Sequence, residues 1–121
     1  MRGRLPRLPE TVSLRDICAA ADVPAGTMKM CEVDGELILV VNLRGEFHAT
    51  QGVCTHEYFE LDRGVLTGDS ILCTLHLSRF SLIDGEVIDP PAEWPLAVYP
   101  VVVDAGRILI EVPEGPLEVN R

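Results

Sequence analysis

The chain has 121 residues, of which 47% are hydrophobic and 24% are charged, as in an ordinary globular protein. A chain of this length can bury a modest core without disulfides, and the composition excludes a disordered protein. Ten lysines and arginines against 19 aspartates and glutamates leave a formal net charge of −9, which argues against nucleic-acid binding. We therefore expect a single domain over residues 1–121.

The apolar segments of the chain are short. The N-terminal stretch carries arginines but no apolar run, so it predicts neither a signal peptide nor a membrane anchor. The longest apolar stretches, residues 37–41 and 98–103, are too short to span a bilayer. These features predict a soluble protein of the cytoplasm, where the four cysteines are expected to be thiols or metal ligands.

The first predicted element is a short helix. Ser13 and Asp16 form a capping-box pattern, and apolar residues follow at helical spacing at Leu14, Ile17, Cys18 and Ala21. Pro24 and Gly26 are expected to end this helix by about residue 23. On this helix Cys18 would lie on the apolar face and be buried.

The rest of the chain predicts short strands separated by turns. Asp-Gly or Arg-Gly pairs between apolar runs are typical of hairpins, because glycine takes positive φ without steric cost. The predicted strands are residues 28–33, 37–42, 47–50, 71–74, 80–83, 86–88, 99–103 and 107–112. This spacing predicts an all-β chain, either an antiparallel β-sandwich or a small barrel, with a core that includes Val101, Val103, Ile108 and Ile110.

Two segments, residues 51–62 and 75–79, follow strands but contain histidines and charged residues. Cys54-Thr55-His56 lies in the first segment, and Cys73 and His76 form a C-x-x-H pair at the second, after sixteen intervening residues. A gap of this length holds about one hairpin, which returns the chain beside its start. Two such loops at the tip of a sheet would bring two thiolates and two imidazoles around one inorganic centre.

Two kinds of metal centre use this donor set. A structural zinc ion takes two cysteines and two histidines, but its ligand pairs are usually spaced C-x2–4-C and H-x3–5-H. A cluster of two irons and two sulfides takes both cysteines on one iron and both histidines on the other. Each loop then gives one ligand to each iron, which explains the mixed Cys–His pairs. The spacing favours the cluster, and a non-redox zinc module is the alternative.

The ligand pattern and its surroundings resemble the Rieske iron–sulfur proteins. Beyond the four ligands, the likeness includes residues 45–49, 79–82, 84–87, 90–92 and the final strands, so it covers about residues 10–112. The chain is most similar to the soluble Rieske-type ferredoxins of bacterial aromatic-ring-hydroxylating dioxygenase systems, of the biphenyl, naphthalene and carbazole type. The resemblance implies the Rieske fold, an antiparallel β-sandwich with a small cluster-binding subdomain at about residues 46–90, and flexible tails at 1–9 and 113–121.

The resemblance also implies a function. One Rieske 2Fe-2S cluster would be held by Cys54, His56, Cys73 and His76, and no residue would be catalytic. The chain would carry single electrons from a flavin-containing NAD(P)H-dependent reductase to a terminal Rieske oxygenase. We expect it to act as a monomer, without nucleic-acid or membrane partners.

Four residues depart from the family's loop patterns. The second loop usually reads C-P-x-H-G, whereas Thr74 and Leu77 stand at the proline and glycine positions. Phe59 and Leu75 stand where the respiratory Rieske proteins have loop cysteines, so that disulfide cannot form. This departure, and the lack of an anchor, argue against a membrane-bound respiratory subunit.

The resemblance assigns Ser78, Phe80, Pro90 and Pro91 to the surroundings of the cluster. Phe80 replaces a tyrosine that hydrogen-bonds a cluster cysteine in respiratory members. Fewer hydrogen bonds to sulfur predict a reduction potential near the low end of the Rieske range, roughly −150 mV. Pro90 and Pro91 begin a segment that covers the cluster in the family.

A partner surface is predicted in the first loop, at Glu57, Tyr58, Phe59, Glu60 and Asp62, because these residues lie beside the redox centre. We expect His48, Cys31, Met28 and Met30 to be packing or surface residues rather than ligands. The remaining functional alternative is a small Rieske-like subunit of an assimilatory nitrite reductase. Such subunits often lack ligands, and all four are present here.

Overall fold

The computed structural model describes residues 12–113, which form eleven β-strands in three antiparallel sheets. The tails expected at 1–9 and 113–121 lie outside these residues, except for Pro113, which ends a strand. None of the helical segments in this part of the chain is long and apolar enough to cross a membrane. The predicted all-β class is confirmed.

The three sheets follow the chain order closely. The strands are β1 (Val12–Ala19), β2 (Met28–Val33), β3 (Glu36–Leu43), β4 (Glu46–Gln51), β5 (Val65–Thr67), β6 (Ser70–Cys73), β7 (Ser78–Ser81), β8 (Val87–Asp89), β9 (Val98–Tyr99), β10 (Val101–Asp104) and β11 (Arg107–Pro113). The outer sheet has the order β1-β11-β10, the central sheet β2-β3-β4-β9 and the small sheet β5-β6-β7-β8. Short 3-10 turns lie at Ala20–Asp22 and Leu61–Arg63.

Strand β3 lies between two cores, which explains its unbroken apolar run. Ile38 packs with Tyr99 and Ile110 on the side of the outer sheet. Leu39 and Val41 pack on the other side, with residues of the small sheet that include the fully buried Phe80. Because side chains alternate along a strand, a strand covered on both faces needs apolar residues at every position. The small sheet is therefore attached to the sandwich through the opposite face of β3.

The helix predicted over residues 13–23 is wrong. This segment is strand β1, which pairs with β11, followed by the 3-10 turn Ala20–Asp22. The register shifts between Asp16 and Cys18, and such a bulge turns two successive side chains toward the same side. Ile17 and Cys18 therefore both pack in the core. Two adjacent buried residues are also what a helical face would show, which is why the pattern indicated a helix. Leu14, expected on that face, is 51% exposed.

Most predicted strands are confirmed to within one or two residues, with two differences. The prediction over residues 99–103 corresponds to two strands, β9 and β10, which pair with different sheets. The three-residue strand β5 was not predicted. Ile108 and Ile110 are buried as expected, whereas Val103 is 51% exposed. Its strand is at the edge of the outer sheet, next to the turn into β11.

Candidate metal centre

The first loop, residues 52–64, is closed by backbone hydrogen bonds at both ends. The Gly52 N–H donates to the Leu37 carbonyl at 2.8 Å, and the Leu61 N–H donates to the Gly52 carbonyl at 2.8 Å. Leu61 is fully buried beneath the loop. A Cβ atom at Gly64 would overlap the Leu72 carbonyl oxygen, so only glycine lets the loop return this close to β6. These contacts hold Cys54 and His56 at the end of the small sheet.

The second loop, residues 74–77, connects β6 to β7. The Leu77 N–H donates to the Cys73 carbonyl at 2.8 Å, which closes a tight turn with His76 inside it. Cys73 pairs with Ser78 across the two strands. Cys73 therefore stands directly on the ladder of the small sheet, and His76 lies in the turn that follows it.

The structure brings all four predicted ligands together at one tip. Cys54 and Cys73 are 5% and 2% exposed, and the Cys73 thiol is near enough to contribute to the raised pKa of Cys54. His56 and His76 are exposed, with ring centroids 5.0 Å apart and planes inclined by 79°. The thiols thus face the protein and the imidazoles face solvent.

The electrostatics of the two cysteines fit a positively charged metal centre. Burial raises the pKa of Cys54, while the backbone N–H groups of His56 and Glu57 act in the opposite direction. The His56 N–H lies 3.4 Å from Cys54 Sγ. Two adjoining buried thiolates are costly without a cation, so this site is suited to iron bound by thiolates. The sulfur and nitrogen donors match those of a Rieske cluster.

A third segment, residues 90–95, lies against both loops, and we call it the strap. The Ala92 N–H donates to Ser78 Oγ at 2.9 Å, which ties the strap to the first residue of β7, directly after the second loop. Thr55 Oγ1 donates to the Trp94 carbonyl at 2.6 Å, which ties the strap to the first loop. Pro90 and Pro91 themselves are exposed. Sequence patterns missed Thr55 because its acceptor is a backbone carbonyl 39 residues away.

Two residues assigned to the cluster's surroundings lie inside the protein at this tip. Ser78 is 1% exposed, and its hydroxyl oxygen accepts the hydrogen bond from the strap. Phe80 is fully buried and packs in the same core cluster as Cys54 and Cys73. A phenyl ring offers the sulfurs no hydrogen bond, which is the basis for expecting a low reduction potential. The value of that potential stays a prediction.

The five residues of the predicted partner surface differ in exposure. Glu57 is exposed, and its carboxylate lies 3.7 Å from His76 Nδ1. The Tyr58 hydroxyl donates to Glu60 at 2.9 Å, and this bond raises the pKa of Tyr58. Asp62 is exposed, whereas Phe59 is half-buried against the core. Phe59 therefore supports the loop more than it offers surface.

Histidine and cysteine residues outside the tip have structural surroundings. His48 is on β4, half-buried, with its Nε2 3.2 Å from Glu46 Oε1. Cys18 is buried between the sheets with Cys31 packed beside it, and both are free thiols. Met28 and Met30 pack against the core below the small sheet. These residues are placed as packing or surface groups.

A family comparison decides the kind of centre. The model of the Rieske [2Fe-2S] domain matches residues 13–100. The chain belongs to the Rieske family. Its cofactor is accordingly one Rieske 2Fe-2S cluster, and the zinc alternative is set aside.

Rieske ferredoxins are prominent among the relatives. The chain is 35% identical to the biphenyl dioxygenase ferredoxin subunit of Pseudomonas sp. (strain KKS102), over 83% of this chain and 93% of that protein. It is 36% identical to the biphenyl 2,3-dioxygenase ferredoxin component of Rhodococcus jostii (strain RHA1), over 86% and 97%. Among solved structures, it resembles a chain in the complex of reduced oxygenase and oxidized ferredoxin in carbazole 1,9a-dioxygenase, with a TM-score of 0.77, 32% identity and coverage of 87% and 97%.

The nitrite reductase alternative is weaker. This chain resembles the structure of an NADH-dependent nitrite reductase small subunit from Mycobacterium tuberculosis. The TM-score is 0.73 and the identity 24%, over 83% of this chain and 95% of the other. Identity at this level shows the shared fold alone. The ferredoxin relatives are more similar in sequence.

Proposed function

We propose that the chain is a one-electron carrier that passes electrons from an NAD(P)H-dependent flavin reductase to a terminal aromatic-ring-hydroxylating oxygenase. The observation that carries this proposal is the arrangement of the tip, with two buried thiols inside and two exposed imidazoles 5.0 Å apart outside. A carrier needs its redox centre within reach of a partner and protected from bulk water elsewhere.

We assign the cluster ligands to Cys54 and Cys73 on one iron and to His56 and His76 on the other, as in Rieske centres. When bound, the cluster takes up and releases one electron. The exposed imidazoles would then form the shortest route between the centre and a docked protein. Phe80 and the strap keep water from the sulfur side, because Phe80 and Ala92 are buried behind it.

The proposed partners follow from the relatives and from charge. A structural relative was solved in complex with its oxygenase, which supports an oxygenase as the electron acceptor. Glu57, Glu60 and Asp62 give the first loop an acidic surface that a basic partner surface would attract. The flavin reductase as electron donor rests on the family resemblance.

We further propose that the carrier acts as a monomer in the cytoplasm. In the described residues, the cores on both sides of β3 are formed within one chain, which supports a monomer. Cys18 and Cys31 adjoin as free thiols, the state that a reducing compartment maintains. Sedimentation of the holoprotein tests the first statement.

Reconstitution of electron transfer tests the function. The holoprotein should contain two irons and two acid-labile sulfides and show a Rieske electron paramagnetic resonance (EPR) signal when reduced. It should then carry electrons from a flavin reductase to the purified oxygenase of a biphenyl dioxygenase system, because the ferredoxins of two such systems are relatives of this chain. The oxygenase of an alkene monooxygenase system is a second acceptor to test, because the ferredoxin component of such a system is also a relative of this chain. A chain that is reduced by no reductase, or that reduces none of these acceptors, would contradict the proposal.

A further inference from the structure

Leu77 occupies a backbone conformation that disfavours leucine. Its φ is 66°, in the left-handed region that glycine adopts freely and a branched side chain does not. The other described non-glycine residues at positive φ are Asp34, Arg44 and Ala105, and a glycine at positive φ follows each of them in a hairpin turn. Ser78 follows Leu77, so no such two-residue turn accounts for its conformation.

The leucine side chain contributes little to the fold. It is 62% exposed, and the described core clusters do not include it. The hydrogen bond that closes the loop uses the Leu77 backbone N–H, which glycine would supply equally well. The strain of this position is therefore not offset by packing within the chain.

Three other exposed apolar side chains come from the segments that form the tip. Tyr58 is 70% exposed, Leu75 46% and Trp94 62%. Leu75 and Leu77 flank His76 in the second loop, and the Trp94 backbone is held by Thr55 in the first. We call Tyr58, Leu75, Leu77 and Trp94 the apolar rim. An apolar rim beside exposed imidazoles is typical of a surface that becomes buried on docking.

We propose that Leu77 is a direct contact with the terminal oxygenase and inserts into an apolar hollow that basic side chains border. This inference rests on the proposed function, in which the oxygenase accepts the electron. The acidic side chains of Glu57, Glu60 and Asp62 lie in the loop beside the apolar rim and complement a basic border. Burial in the partner compensates the strain that the free chain carries at Leu77.

Two variants at this position separate side chain from strain. Leu77→Ala removes the side chain and keeps the strained conformation, whereas Leu77→Gly removes both. Val103→Ala is the control, because Val103 is 51% exposed on the outer sheet, away from the tip. All three are prepared as holoproteins and checked for an unchanged visible spectrum.

Melting is then measured, together with binding to an oxygenase that the wild-type chain reduces and to the reductase that reduces the wild-type chain. Both Leu77 variants should bind the oxygenase about tenfold more weakly, the loss expected for one buried leucine side chain. Leu77→Gly should melt at least about 3 °C above Leu77→Ala, because glycine relieves the strain. Val103→Ala should bind like the wild type.

Each outcome bears on a different statement. Unchanged oxygenase binding in both Leu77 variants would overturn the contact, and a loss confined to reductase binding would overturn the choice of partner. Equal melting temperatures of Leu77→Gly and Leu77→Ala would show that the backbone at position 77 is not strained. A wild-type chain that reduces no oxygenase contradicts the proposed function itself, which is recognised before any variant is made.

Discussion

The four proposed ligands at the tip differ in burial, and the two pairs would have different tasks. Cys54 and Cys73 are buried in the same core cluster, so metal binding at the thiols is coupled to the packing of the small sheet. His56 and His76 are exposed and contribute little to that core. Loss of a histidine should therefore affect the metal centre more than the β-scaffold.

A histidine substitution tests this division. We expect His76→Ala to abolish the Rieske EPR signal of the reduced protein, because one iron loses a ligand. The far-ultraviolet circular dichroism of the strands should be retained. His48→Ala is the matched control, since His48 lies on β4 outside the tip, and it should keep the signal. An unchanged spectrum in His76→Ala would show that His76 is not a ligand.

Cys18 is a buried thiol that packs with Val40 of β3 and Ile108 of β11. Burial and the neighbouring Cys31 thiol raise the pKa of Cys18 from its ordinary value near 9 to about 11. The folded chain thus holds this proton more tightly than the unfolded chain. Stability from this group is fully present below about pH 9 and is lost as pH rises toward 11.

The pH dependence can be isolated with one variant. Between pH 9 and pH 11 the urea unfolding midpoint of the wild type should fall more steeply than that of Cys18→Ala, which lacks the titrating group. Lysines and tyrosines titrate in the same range in both proteins, so they cancel in the comparison. Parallel curves would show that Cys18 titrates at its ordinary pKa.

At the scale of elements, the strap makes the tip a three-sided structure. Its two anchors are Ser78 in β7 and Thr55 in the first loop, so it bridges residues that lie far apart in the chain. The clustering of the four proposed ligands could be predicted from the sequence, because metal chemistry demands given residue types at short spacing. The anchors could not, because a hydroxyl bonded to a distant backbone group leaves no pattern.

The bulge in β1 set another limit on prediction. Hydrophobic periodicity distinguishes helix from strand only while a strand alternates regularly, and the register shift after Asp16 ends that alternation. Hairpins with Asp-Gly or Arg-Gly turns were predicted well, since their turns are local. Strand β5 has three residues, too few for any period to show.

The strap anchor is testable by removing one hydroxyl. Thr55→Val should lower the free energy of unfolding by about 1 kcal/mol, because the Trp94 carbonyl loses its donor, and should accelerate cluster loss. Thr27→Val removes a comparable bond, from an exposed threonine to the Pro24 carbonyl, and should cost less. Urea unfolding and bleaching of the visible absorbance measure the two effects. Equal rates of bleaching in both variants would contradict a role for the strap at the metal centre.

At the scale of the whole molecule, charge governs encounter. The net charge of −9 attracts basic proteins from a distance, and ions screen this attraction beyond about 10 Å at 0.1 M salt. The acids of the first loop lie next to the exposed imidazoles, where they would also orient a partner. The effect of an acidic residue on the rate of electron transfer should therefore depend on its distance from the tip, and not only on the total charge.

Two triple variants with the same net charge separate these effects. Glu57→Gln, Glu60→Gln and Asp62→Asn together should slow electron transfer to the oxygenase several-fold at low salt, and the difference should vanish near 0.5 M salt. The control combines Glu32→Gln, Asp69→Asn and Asp104→Asn, three exposed acids outside the tip segments. Stopped-flow kinetics compares them. If both triples slow the reaction equally, the first loop has no special role.

The exposure of both imidazoles at a single tip also limits how the carrier can be used. Under the proposed function, reductase and oxygenase would exchange electrons through the same imidazoles. They would then occupy the same small area in turn, and every delivered electron would require one partner to leave before the other binds. A grip that is too firm would then delay the next exchange. Selection on such a surface favours brief residence over maximal affinity, and this limits how many apolar contacts the tip can accumulate.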